Sequence, residues 1–201
     1  MINILPIMRA DLFNEPGVGS LEQRQELIDR LLELKNNGVS DINAKSSNYG
    51  CWRLMNPITD CEWLNKKLTD MILEAIAFYT ETQYSNIVEY KHGETNINIR
   101  SWANINEPGS RNVYHAHKGS HFSACFYLQA TDTGDLVLSN PSNILGECNN
   151  FAPYARAFVF KPKDGDLILW PAWVPHEIET NLSDKQRINI AFDITIGDDK
   201  F

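Results

Sequence analysis

The chain has 201 residues, with 26 acidic against 18 basic side chains and a formal charge of −8. An acidic surface of this kind repels phosphate backbones and argues against nucleic acid as a partner. No segment approaches the roughly 20 apolar residues of a membrane span, and the opening MINILPIMRADLF has neither a basic stretch nor a small-residue cleavage site, so no secretory signal is expected.

Two helices are predicted first. Over 21–35, Leu27, Ile28, Leu31 and Leu34 recur at helical spacing; Ser20 precedes them as an N-cap, Gln23 follows three residues on, and Gly38 lies beyond the end. Over 62–80, Leu64, Leu68, Met71, Ile72, Ala75, Ile76 and Tyr79 form a second apolar face. After Gln83 the pattern becomes a series of short strands, at 87–91, 96–105, 121–129, 136–139, 156–161, 166–170, 176–180 and 187–196. The last alternates cleanly, with Ile188, Ile190, Phe192 and Ile194 on one face and Arg187, Asn189, Ala191 and Asp193 on the other. Turn residues cluster between strands, as in 106–111 and 140–150.

The order of elements predicts a mainly β fold with flanking amino-terminal helices, a sandwich or jelly roll. One domain is expected over 1–201, with 1–82 as helical support and 83–201 as the β core. The apolar faces of the helices are expected to cover a sheet, and the amino-terminal helices could also serve as a homodimer surface. The four cysteines, Cys51, Cys61, Cys125 and Cys148, include no CxxC pair, so free thiols in a reducing cytoplasm are expected.

Chemistry concentrates around the histidines. His115, His117 and His121 fall within seven residues, immediately ahead of an apolar strand. An HxH pair on extended backbone can turn two imidazoles to the same side, within reach of one ion. A third ligand must come from elsewhere, and His176 is the candidate, in the stretch GDLILWPAWVPH. His121 reads as a spare at the start of the next strand and His92, beside Gly93, as a turn residue. Arg187 follows His176 by eleven residues and shares a face with Asn189 and the small Ala191. It is either a surface cation or a guanidinium fork set to take a carboxylate in bidentate fashion.

Taken together, these segments resemble the 2OG-Fe(II) oxygenases of bacteria and phages that are distant relatives of the prolyl 4-hydroxylases. The resemblance is carried by Ser47-Asn48-Tyr49-Gly50, by Trp102-Ala103-Asn104, and by His115-Ala116-His117 followed by Phe126-Tyr127-Leu128. It continues through Gly165-Asp166 to Pro171, His176, and Arg187-Ile188-Asn189-Ile190-Ala191-Phe192. It implies a double-stranded β-helix holding Fe(II) through His115, His117 and His176, with 2-oxoglutarate and O2 as cosubstrates. The distal carboxylate of 2-oxoglutarate would pair with Arg187, helped by Asn189 and Tyr127, and the products would be succinate, CO2 and a hydroxylated peptidyl or small-molecule substrate. Trp102, Asn104, Trp170 and Trp173 are expected in the pocket wall. This sequence departs from the wider superfamily at two positions. His117 stands where the 2-His-1-carboxylate triad has Asp or Glu, and Asn189 where Ser is frequent. Two other readings are compatible with the same residues: a cupin-like three-histidine iron protein that works without oxoglutarate, and a non-catalytic jelly-roll module.

Overall fold

A computed structural model describes residues 7–14, 19–41, 47–57, 61–81, 96–139 and 157–197. In chain order the elements are β1 (Met8–Asp11), α1 (Leu21–Asn36), β2 (Asn48–Met55), α2 (Glu62–Glu81), β3 (Ile97–His115), β4 (Phe122–Gln129), β5 (Leu136–Ser139), β6 (Ala157–Phe160), β7 (Asp166–Pro171), β8 (His176–Ile178) and β9 (Arg187–Ile196). The expected strand at 87–91 and His92 lie outside the described residues.

Both predicted helices form. Ser20 caps α1 through a reciprocal pair of bonds: its hydroxyl accepts from the Gln23 amide, and the Gln23 side chain accepts from the Ser20 amide. Gly38, at φ +75°, ends the helix, and the next amide, that of Val39, returns to the Leu34 carbonyl at 3.0 Å. The first 82 residues are not only helical, however. They also contribute β1 and β2, which pair with β7 and β3. Their alternation was masked by Gly, Pro and Asn neighbours and by faces that are only partly buried.

The sheet runs β1-β7-β4-β9-β3-β8-β5-β6, with β2 also on β3, and its described pairings are antiparallel. It curls because β3 belongs to both halves of the roll. Residues 97–106 pair with β9, and residues 112 and 115 pair with β8. Between them, the segment around Pro108 and Gly109 corrects the expected turn at 106–111. It is a bulge inside one 19-residue strand, tied down by Gly109 N–H to the Asn181 carbonyl at 2.7 Å and Asn181 N–H to the Ser110 carbonyl at 2.9 Å. A bulge bends a strand without ending it, and tolerates Pro.

The period of two divides the apolar residues between two cores. Ile188, Ile190, Phe192 and Ile194 of β9 join Ala124, Phe126 and Leu128 of β4 and Ala103 and Ile105 of β3 beneath Leu27, Ile28 and Leu31 of α1 and Leu64, Leu68 and Ile72 of α2. The opposite face of the same strands turns inward and meets the second half of the roll through Cys125, Tyr127, Leu136, Leu138, Ile168, Trp170 and Ile178. Helices thus seal one side of the main sheet, and the polar residues of the alternation are left facing a cavity.

Candidate metal centre

That cavity is lined by Ser47, Asn48, Arg53, Arg100, Trp102, Asn104, His115, His117, Trp170, His176, Asn189 and Asp193, among others. The three expected histidines converge there. Each offers a ring nitrogen within 4.8 Å of the other two. His115 ends β3 and His176 begins β8, and the two are cross-strand partners, which sets their ring centroids 4.2 Å apart. His117, two residues past His115, stacks parallel to His176 at 5.1 Å.

Hydrogen bonds fix which nitrogen each ring presents. His115 Nδ1 is 2.7 Å from the Val113 carbonyl and His176 Nδ1 is 3.1 Å from the Val174 carbonyl. A carbonyl only accepts, so both Nδ1 atoms carry the proton and both Nε2 atoms keep a lone pair. Ser47 Oγ lies 3.2 Å from His115 Nε2, where a hydroxyl can donate. His117 Nδ1 lies 2.6 Å from Oδ1 of Asp193. Burial lowers the pKa of His115, and it takes His176 down to about 3 with help from the two neighbouring histidines. The pair is therefore neutral near pH 7, the form that ligates metal. Asp193 is held below the usual carboxylate range: burial opposes its charge, but contacts with His117 and Arg100 outweigh the burial.

His121 is excluded from the cluster by its own bonds. Its main chain is pinned to Ile194 and Ala172, and its Nδ1 accepts from the Ile196 amide at 3.1 Å. Of the expected wall residues, Trp102, Asn104 and Trp170 line the cavity. Trp173 does not; at 49% exposure it faces outward, because the turn after Pro171 carries it past the end of β7.

Arg187 is fully buried. Its Nη1 donates to the Thr133 carbonyl at 2.6 Å, while Nε and Nη2 have no partner. The Tyr127 hydroxyl is likewise buried and unpartnered, and Asn189 accepts from Asn104 Nδ2 at 2.8 Å. Neither Arg187 nor Tyr127 lines the open cavity; both lie behind it on the inward faces of β9 and β4. A buried cation with two idle donors is costly unless a ligand meets it. Three imidazole nitrogens with room for further ligands suit Fe(II), and the idle donors at Arg187 and Tyr127 suit a carboxylate.

Residues 100–193 match the family described as "Putative 2OG-Fe(II) oxygenase". This stretch is a 2OG-Fe(II) oxygenase domain. Such a domain is an oxidoreductase whose cofactor is Fe(II) and whose cosubstrate is 2-oxoglutarate. The oxygenase domain has the double-stranded β-helix of solved relatives. A Pseudomonas putida prolyl-4-hydroxylase superposes with a TM-score of 0.60 at 14% identity, over 96% of this chain and 93% of its own. A Trichoplax adhaerens prolyl hydroxylase, solved with a hypoxia inducible factor oxygen degradation domain peptide fragment, gives 0.58 at 15% identity, over 94% and 83%. HygX from Streptomyces hygroscopicus, with nickel and 2-oxoglutarate bound, gives 0.52 at 14% identity, over 95% and 83%. These identities speak for the fold alone. No curated protein matches the chain by sequence.

Three residues of the site escaped the sequence reading: Asp193, Arg53 and Arg100. Asp193 had a signal, since it continues the Arg187, Asn189, Ala191 face, and a carboxylate on the inward face of a strand has to be paired. Arg53 and Arg100 had none. The first is placed by β2, and the second faces Asp193 only through the β3–β9 register.

Proposed function

We propose that this protein is an Fe(II)- and 2-oxoglutarate-dependent dioxygenase that hydroxylates a peptidyl or small-molecule substrate, with His115, His117 and His176 as metal ligands and Arg187 as anchor for the cosubstrate. The observation that carries the reading is the conjunction of a three-imidazole cluster with a buried Arg whose Nε and Nη2 lack partners. When bound, iron, O2 and 2-oxoglutarate supply the oxidative decarboxylation and the C–H oxidation; the chain supplies binding, orientation and exclusion of water.

In this reading the Nε2 lone pairs of His115 and His176 are aimed by the Val113 and Val174 carbonyls, as outer contacts orient ligands in other metal sites. Arg187 takes the distal carboxylate of 2-oxoglutarate through its two idle donors, with the Tyr127 hydroxyl and the Asn104–Asn189 pair beside it. Trp102 lies over His117 at 6.0 Å and Arg53 over Trp102 at 4.8 Å, a stack that shields one flank of the site from solvent. The cupin-like alternative gives buried Arg187 no task, so the oxoglutarate-dependent reading stands ahead of it.

The buried thiols of Cys61 and Cys125 and the negative charge support a reducing cytoplasmic setting without nucleic acid, and no described helix is long and apolar enough to cross a membrane. Homodimer formation through the helices would use the exposed Leu21 and Leu73 and would appear as a doubled mass in light scattering. The test of the main reading is anaerobic. Iron-loaded protein titrated with 2-oxoglutarate should develop the weak visible charge-transfer band of a chelated Fe(II). Iron retention with no band, and no oxoglutarate heat in calorimetry, would overturn it.

A further inference from the structure

His115 and His176 hand their Nδ1 protons to main-chain carbonyls, which are neutral acceptors. His117 faces a charge instead. Its Nδ1 is 2.6 Å from Oδ1 of Asp193, whose side chain is 2% exposed. Asp193 is held in turn by Arg100, its direct cross-strand partner, with Nη2 donating to Oδ2 at 2.6 Å. Oδ1 has no hydrogen bond of good geometry, so its close approach to His117 is the charged contact that engages it. Trp102 lies nearly flat over the His117 ring, at 25°, and limits its rotation. Face and edge of this one imidazole are therefore both constrained.

Resting on the reading of His117 as third metal ligand, we propose that Asp193 is a positioning residue for the metal. Its Oδ1, 2.6 Å from His117 Nδ1, favours the proton on that nitrogen, leaves Nε2 as the lone pair, and supplies from behind the ring the negative charge that an Asp or Glu ligand would supply directly. A carboxylate behind a ligating imidazole fixes its tautomer and raises its basicity. Arg100 engages Oδ2 and is itself 45% exposed, which leaves Oδ1 to face His117. The His117-for-carboxylate departure thus comes with its compensation on the neighbouring strand: the anion has moved one shell outward.

The experiment measures Fe(II) affinity anaerobically by chelator competition in wild type, Asp193→Asn, His117→Ala, His117→Asp and the double variant His117→Asp/Asp193→Asn. Asp193→Asn, which keeps the shape, should weaken Fe(II) binding about 10- to 100-fold and shift the visible d–d bands of the Co(II)-loaded protein. In the His117→Asp background the effect should reverse. A carboxylate oxygen branches from the same carbon as Nδ1, so it would meet Asp193 Oδ1 near the observed 2.6 Å, and two such charges repel. Removing the Asp193 charge should there tighten iron binding. Wild-type affinity and unshifted bands in Asp193→Asn, or the same loss in both backgrounds, would overturn the proposal. Wild-type affinity in His117→Ala would instead overturn the ligand reading beneath it.

Discussion

Replacing Arg187 by Gln removes the only fully buried cation of the described residues while keeping a long polar side chain. Nη1 is already satisfied by Thr133, so the cosubstrate has two donors, Nε and Nη2, to engage. Charge-assisted hydrogen bonds contribute about 1.5–3 kcal/mol each, and truncating one side of a buried charged pair typically costs about 2–5 kcal/mol. The expected loss of 2-oxoglutarate affinity is therefore about thirty-fold to several-thousand-fold. A neutral bond at Asn189 is worth about 1 kcal/mol, so Asn189→Ala should cost only about five-fold, and the ranking of the two variants is itself a test. Arg187→Lys should fall between Gln and Arg, since it keeps the charge and loses the fork. The assay is anaerobic titration of iron-loaded protein, read at the charge-transfer band, with iron content measured on the same samples. Cosubstrate affinity of Arg187→Gln within three-fold of wild type would refute the anchor. Loss of iron along with affinity would show that Arg187 supports the fold of the site rather than the cosubstrate.

Three further outcomes are expected. His117→Ala should lose Fe(II) while His121→Ala retains it, and X-ray absorption of the wild type should show nitrogen and oxygen neighbours without the sulfur shell at about 2.3 Å that marks a thiolate; the reverse ranking, or that shell, contradicts the ligand set. Gly134→Ala should destabilise by about 1–3 kcal/mol in chemical denaturation and weaken 2-oxoglutarate binding, because Gly134 has φ +104° and a Cβ there would stand 2.5 Å from the Glu179 carbonyl and 3.3 Å from Arg187 Nη1; unchanged stability would mean the Thr133–Gly134 loop does not brace Arg187. Finally, the His176 pKa near 3 in the folded, metal-free protein lies below the ordinary value of 6.5, so between these values the unfolded chain holds a proton that the folded one does not, and stability is lost as pH falls through that window. Metal-free His176→Asn should lack this component, so its stability relative to wild type should improve from pH 6.5 towards 3; a difference independent of pH would contradict it.

Local pattern alone determined much of this protein. The Ser20 cap, the Gly38 stop and the strict alternation of β9 are short-range signals, and each became the element it announced. The period of two also decided in advance that Arg187, Asn189, Ala191 and Asp193 share a face, and the HxH spacing brought two imidazoles together. Tertiary structure decided the rest. The β3 bulge carries Pro108 and Gly109 through a strand where local propensity reads a turn, because bonds to Asn181 tie the bulge down on both sides. β1 and β2 exist only because β7 and β3 offer edges to pair with. His115 meets His176, and Asp193 meets both Arg100 and His117, through strand register across sequence separations of 61, 93 and 76. A one-residue slip of β9 would turn Arg187 and Asp193 off the inward face and Ile188 onto it. Pairing at that range is set by the burial of whole faces at once, which no window of sequence contains.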